Sequence, residues 1–178
     1  MLKGKTIDVR HVLAEDLPTY LPLFNDLEAR GMHYATTFRS PELMKAEFAR
    51  TGFAEDDFEH FVIADKAGQL LGTIFHFKSR TPVAREIGYR LFDQRHAGRG
   101  VMTEAARLVI DHLFSNYQYQ RLQLLMAPDN TASERIAQKC GFTKEGTFRQ
   151  MFFHRGVYGD AHIYSLLRGE WEAGRSRG

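Results

Sequence analysis

Apolar and polar residues alternate from residue 6 to 12, which predicts a first strand. Leu17, Tyr20, Leu21, Phe24 and Leu27 then recur at helical spacing. A cap at Asp16 conflicts with Pro22 in the helix interior, whereas a cap at Thr19 would place that proline in the tolerant first turn; the start lies at one or the other. Ser40-Pro41-Glu42 sets a capping serine before a first-turn proline and predicts a second helix through Arg50. Residues 29–39, with Met32, His33, Tyr34 and Phe38, form either a substrate-facing loop or a packed connection. The β-rich runs 60–65 and 70–77 flank Lys66-Ala67-Gly68-Gln69 as a hairpin. Thr81-Pro82 breaks the chain before a further strand over 85–91.

The strongest periodicity comes next. Met102, Ala105, Ala106, Val109, Ile110 and Leu113 form one continuous apolar face of a helix. Residues 120–127 predict a strand bounded by Pro128, and Thr131 with Glu134 can form a capping box for a short helix that Gly141 ends. Runs 150–155 and 160–166 flank Gly156-Val157-Tyr158-Gly159 as a second hairpin. The order β-α-α-β-β-β-α-β-α-β-β describes a mixed α/β protein, with meandering strands first and crossover helices after them. Length predicts a single domain, residues 1–172, followed by a disordered tail, residues 173–178.

Charge narrows the picture. With 24 basic against 22 acidic residues the net charge is +2, too balanced for a nucleic-acid surface. One cysteine forbids an intrachain disulfide framework and suits a reducing compartment. Neither an apolar leader at Met1-Leu2-Lys3-Gly4-Lys5 nor an 18-residue apolar run is visible, so a soluble, cytoplasmic protein without membrane contact is expected.

The candidate chemistry gathers between strand 85–91 and the long helix, in Arg95-His96-Ala97-Gly98-Arg99-Gly100-Val101-Met102-Thr103-Glu104-Ala105-Ala106. A glycine loop feeding a helix N-terminus offers free amides and the positive end of the macrodipole to an anion. An ordinary strand-to-helix connection using two glycines is the competing reading. Spelling excludes a P-loop, since no lysine follows Gly100, and a dinucleotide fingerprint, since the third glycine is missing. The segment resembles the acyl-CoA pyrophosphate loop of the GNAT superfamily of N-acetyltransferases, [QR]-x-x-G-x-[GA], with Arg95, Gly98 and Gly100 in register. Glu86-Ile87-Gly88-Tyr89, Thr103-Glu104-Ala105, Asn130-x-x-Ser133, Gly141-Phe142-x-x-Glu145-Gly146, Tyr164-Ser165-Leu166-Leu167 and Glu170-Trp171 extend the likeness over roughly residues 5–172. They resemble the branch holding the ribosomal-protein N-terminal (alanine/serine) acetyltransferases.

The resemblance implies a GNAT-type, mostly antiparallel sheet of six to seven strands with helices on both faces. It also implies acetyl transfer from acetyl-CoA, without a metal, to an amine. Amides of Arg95, Ala97, Gly98, Arg99, Gly100, Val101, Met102 and Thr103 would hold the pyrophosphate, with Arg95 and Arg99 as charge partners. Backbone at Leu91 and Phe92, past an expected bulge, would pair with the pantetheine and the thioester carbonyl, and Asn130 would bond the pantetheine arm. An amine with a pKa near 10 is neutral only about one part in a thousand at pH 7, so a base is needed. Glu86 is that candidate; the alternative is a glutamate paired with Arg85 or Arg90. Many superfamily members place a thiolate-protonating tyrosine where this chain has Ala137, so Ser133 becomes the candidate donor and Tyr164 the next. Ser133 could equally be a helix-start serine, and Tyr164 a core residue with a satisfied hydroxyl.

Other features read as structural. Cys140 is expected to be a buried, inert thiol, Glu55-Asp56-Asp57 a solvated loop, and the eight histidines show no metal-ligand spacing. The expected partners are acetyl-CoA and a small amine or protein N-terminus, with the chain a monomer or homodimer. A catalytically silent acyl-CoA-binding regulatory module on the same fold is the competing function.

Overall fold

The computed structural model describes residues 1–29, 31–34, 37–79 and 83–175. The expected break at Thr81-Pro82 and tail residues 176–178 lie outside the described residues. One mixed sheet organises the chain, with its strands in the order β1-β2-β4-β5-β6-β7-β9-β8. These are β1 (Leu2–Lys3), β2 (Ile7–His11), β4 (Phe58–Asp65), β5 (Leu70–Lys78), β6 (Ala84–Leu91), β7 (Arg121–Met126), β8 (Thr143–His154) and β9 (Val157–Leu167), while the two-residue β3 (Ala54–Glu55) pairs with β4. Among the described residues the sheet thus has nine strands against the six or seven expected, because β1 and β3 are too short to leave a periodic trace.

Helices α1 (Leu17–Asn25) and α2 (Pro41–Thr51) cover one face. Their core there includes Tyr20, Leu21, Met44, Phe53, Val62 and Phe92. Helix α3 (Val101–Asn116), with α4 (Thr131–Lys139) beside it, covers the other face over Ile7, Val9, Ile63, Ile74, Leu122 and Leu124. The residues of α3 buried there include all six of the periodic apolar positions. Among the described residues no helix is long and apolar enough to cross a membrane.

Several boundaries differ from expectation for physical reasons. Helix α1 begins at Leu17 and keeps Pro22 inside, where only the Pro18 carbonyl should lose an N–H partner. Asp16 is the N-cap residue, as the earlier of the two expected starts has it, but its side chain makes no cap bond; its carboxylate binds Arg10 and the Leu13 amide instead. The second hairpin turns at Arg155-Gly156, both at positive φ, so Val157–Gly159 belongs to β9. Helix α5 (Arg168–Arg175) runs into the stretch expected to be disordered. It is held by the Trp171 indole N–H on Asp111 at 2.6 Å and by Arg168 on the Phe114 and Tyr119 carbonyls.

Candidate active site

Strands β6 and β7 are parallel and remain paired only from Ala84/Arg121 to Glu86/Gln123. Since β6 continues to Leu91 and β7 to Met126, the two splay apart beyond Glu86 and leave an opening within the sheet. The Phe92 N–H donates to the Leu71 carbonyl at 2.9 Å. Alternation along an antiparallel pair therefore turns the peptide groups of Tyr89 and Leu91 toward the opening. The Leu91 peptide thus faces the opening, whereas the Phe92 amide is used inside the sheet and its side chain is buried. The bulge expected here is not on β6, whose register with β5 runs unbroken from Gly72/Leu91 to Lys78/Arg85; the shifts fall in β4–β5 at Ile63/Ala64 and in β8.

At the end of β6 a 3₁₀ turn (Gln94–His96) leads into the glycine loop, and the Asp93 side chain caps it by accepting the Arg95 N–H at 2.8 Å. The Arg95 guanidinium folds back on the same carboxylate at 2.6 Å, which, with the backbone bond, lowers the Asp93 pKa to about 2. Arg95 is therefore ion-paired to Asp93, although an exposed pair of this kind is weak enough to exchange for another anion. Ala97 spends its amide on the Gln94 carbonyl. Gly98 and Gly100 hold φ of +75° and +84°, and a Cβ at either would meet nothing within 4 Å. The loop is thus an open backbone cradle that only glycine adopts without strain.

Gly100 caps α3, and the first in-helix bond is Glu104 N–H to the Gly100 carbonyl. The amides of Val101, Met102 and Thr103 therefore lack intrahelical acceptors and face the cradle with the helix dipole behind them. Val101 and Met102 have buried side chains, so they serve through backbone alone. The Glu104 carboxylate accepts the Thr6 N–H and hydroxyl, which anchors its negative charge at the β1–β2 connection.

On α4 the cap is Asn130 and not the expected Thr131–Glu134 box. Its Oδ1 accepts the Ser133 N–H at 3.1 Å, so this residue shapes the helix start beside the opening. Ser133 is half-buried in the first turn. Glu134 instead accepts the Tyr164 hydroxyl at 2.7 Å, and burial together with that carboxylate pushes the phenol up to about 12. Tyr164 is thereby a core residue with a satisfied hydroxyl. Cys140, pushed up to about 11 by burial, donates to the Thr103 carbonyl and stays an unreactive thiol.

Glu86 lies at the base of the opening, with its side chain toward a cleft of about 1160 Å³. It accepts a hydrogen bond from Gln123 Nε2 at 3.1 Å, and burial raises its pKa. The pairing with Arg85 or Arg90 weighed from the sequence is not what holds it. Arg85 reaches Asp57 and stacks on Tyr119, and Arg90 donates to the Leu23 and Phe24 carbonyls. Asp57 also binds Lys78, and Glu55 binds Arg50, so the acidic loop is ion-paired. Among the described residues no three metal-ligating side chains gather.

Two residues at the opening were missed from the sequence, Gln123 and Tyr89. Tyr89 stands three positions after Glu86, and strand alternation sends it to the α3–α4 face. Its hydroxyl is buried and makes no hydrogen bond of regular geometry among the described residues, with the Ser133 side chain its nearby polar group.

A donor carrying phosphates at one end and a reactive group at the other can rest on the cradle and reach Glu86 through the splayed strands. That geometry is the mark of an acyl-CoA-dependent transferase. Residues 7–143 match the Acetyltransferase (GNAT) domain, and the chain belongs to this family. A probable N-acetyltransferase of Bacillus subtilis (strain 168), YjcK, is 32% identical over 176 residues, covering 94% of this chain and 97% of the relative. The ribosomal-protein-serine acetyltransferase of Escherichia coli (strain K12) is 31% identical over 104 residues, or 57% of each chain. In fold, the chain resembles the spermidine N-acetyltransferase of Vibrio cholerae solved with CoA and spermine, with a TM-score of 0.81 at 18% identity over 94% of this chain and 98% of that one.

Proposed function

We propose that this acetyltransferase moves the acetyl group of acetyl-CoA to a primary amine by direct attack in a ternary complex. We further propose that the amine is the α-amine of a peptide or protein N-terminus in preference to a polyamine. The observation carrying this reading is the opening between β6 and β7, with a half-buried carboxylate on one face and the amide cradle on the other. Acetyl-CoA supplies the thioester. Gly98, Gly100 and the first-turn amides of α3 hold its pyrophosphate, Leu91 offers backbone to its arm, and Asn130 keeps the start of α4 in place. Glu86, made more basic by burial, accepts the amine proton, and Ser133 donates a hydrogen bond to the departing thiolate. Both proton roles fall to side chains, so no metal ion is needed. The single half-buried cysteine suits a reducing cytoplasm, as monomer or homodimer.

The acceptor preference rests on the cleft's charges and surfaces. Lys78, Arg121 and Arg149 line it against Glu86 and Asp160, together with apolar Phe77, Leu125, Phe148 and Ile163. Lys78 and Arg121 are already paired, with Asp57 and Glu145, so the lining beside Glu86 is largely apolar and offers no run of carboxylates for the further ammonium groups of a polyamine, whereas a peptide brings one amine with apolar side chains and carbonyls. The similarity to a ribosomal-protein-serine acetyltransferase supports the same reading.

Thiol release tests it across peptides with free N-terminal serine or alanine, amino acids, aminoglycosides and spermidine, each with acetyl-CoA and with succinyl-CoA. The expected result is turnover of a peptide with acetyl-CoA at a kcat/KM at least about tenfold above that for spermidine, roughly 1.4 kcal/mol in barrier. Spermidine equal or better would overturn the acceptor assignment, and preference for succinyl-CoA would overturn the donor.

A further inference from the structure

Tyr89 holds a polar group in an unfavourable place. Its ring packs against the core under α3 and α4, in the half of β6 that has parted from β7. Its hydroxyl is shut off from solvent and makes no hydrogen bond of regular geometry among the described residues. Such a hydroxyl carries a desolvation cost that a phenylalanine of the same shape would avoid. A group of this kind calls for a role outside packing.

The neighbours narrow what that role is. Tyr164, another phenol against α4, is committed to Glu134 at 2.7 Å. The Cys140 thiol, also near Tyr89, points its hydrogen to the Thr103 carbonyl. The Ser133 side chain is close to the Tyr89 hydroxyl, and the Ser133 backbone is already fixed by Asn130, which leaves its Oγ free to reorient. We propose that Tyr89 is a positioning residue: it donates its Oη–H to Ser133 Oγ, so that the serine's own O–H points at the CoA sulfur. Burial pushes the Tyr89 phenol well above its ordinary pKa, which keeps it a donor throughout the working range.

This inference rests on Ser133 as the thiolate donor. In the step it serves, the amine nitrogen bonds to the acetyl carbon and the C–S pair passes to sulfur. The amine proton goes to Glu86 and then to solvent. The sulfur anion is held by the Ser133 hydrogen bond, strengthened because its oxygen accepts from Tyr89. No proton need leave either hydroxyl.

The test needs no acceptor. The ultraviolet absorbance of the CoA thiolate, titrated with CoA bound to the full chain, reports the thiol pKa in the site. Ser133→Ala and Tyr89→Phe should each raise it by about 0.5–1 pH unit, the scale of one neutral hydrogen bond. The double variant should match Ser133→Ala alone, and Tyr89→Phe should melt no lower than the wild type. A shift in Ser133→Ala but none in Tyr89→Phe would overturn this inference and leave the Ser133 assignment standing. No shift in Ser133→Ala would overturn both, and additive shifts would mean that Tyr89 acts independently of Ser133. A lower melting temperature for Tyr89→Phe with an unchanged titration would return Tyr89 to packing.

Discussion

The two faces of the sheet at the β6–β7 opening handle opposite charges by different means. On the α3–α4 face the groups suited to an anion are mostly backbone: two glycines at positive φ and three amides without intrahelical acceptors, supplemented by the Ser133 hydroxyl. On the other face the group suited to a proton is a side chain, Glu86, whose basicity comes from partial burial that outweighs the opposing hydrogen bond from Gln123. Backbone dipoles are set by local conformation and do not titrate. A carboxylate's proton affinity depends on everything packed around it. The first face should therefore tolerate changes of pH and fail on changes of shape, and the second should behave the other way.

The largest expected effect tests shape. Gly98→Val and Gly100→Val should each weaken CoA binding by roughly 100-fold or more, with the fold retained, because the added atoms meet open space but force positive φ on a branched residue. Calorimetry giving wild-type affinity for both would remove the cradle from the site.

Glu86→Gln tests the other face. It should lower kcat/KM at pH 7 by about 10²- to 10⁴-fold and recover as rising pH supplies free amine. Stability should move oppositely. Burial raises the Glu86 pKa above its unfolded value, so its contribution to stability is full below the unfolded pKa and lost as pH rises through the folded one. The glutamine variant should therefore melt no lower than wild type at pH 7, with any advantage gone in acid. A parallel pH–rate profile at a similar rate would place the base elsewhere.

Ser133→Ala should reduce kcat by one to three orders of magnitude, about 1.4–4 kcal/mol, with CoA affinity nearly unchanged. Its helix cap should survive, because Asn130 bonds the Ser133 amide and not its hydroxyl. Lost melting temperature with full turnover would make Ser133 structural.

The smallest effect is assigned to Tyr164→Phe: about 1 kcal/mol of stability from the lost bond to Glu134, with kcat within about twofold of wild type. A tenfold fall in kcat without destabilisation would restore Tyr164 as a donor.

Legibility followed burial. Helix α3 could be read because one of its faces is wholly apolar and the other is not. Residues 143–149 of β8 could not be read as strand. As the edge of the sheet, β8 is mostly exposed on both sides, so neither side needs to be apolar and no alternation results. Helix α5 was missed because its hold comes from single partners, Trp171 on Asp111 and Arg168 on three carbonyls, which leave no period. The Asn130 cap was missed by one residue, since Asn130 and Thr131 are both competent caps and only the backbone chooses between them.

The sequence by itself determined the strand–glycine loop–helix unit and the order of the major elements, which depend on local conformation or on spacing along one segment. Glu86, Ser133 and Asn130 became candidates only through the likeness of their motifs to a known family. Tertiary structure alone decided where β6 and β7 part, which face each side chain of β6 serves, and that Gln123 bonds Glu86 while Tyr89 comes near Ser133. Those pairs are 37 and 44 residues apart in the sequence. Their proximity follows from strand register and from packing of α4 against the sheet, which no local pattern encodes.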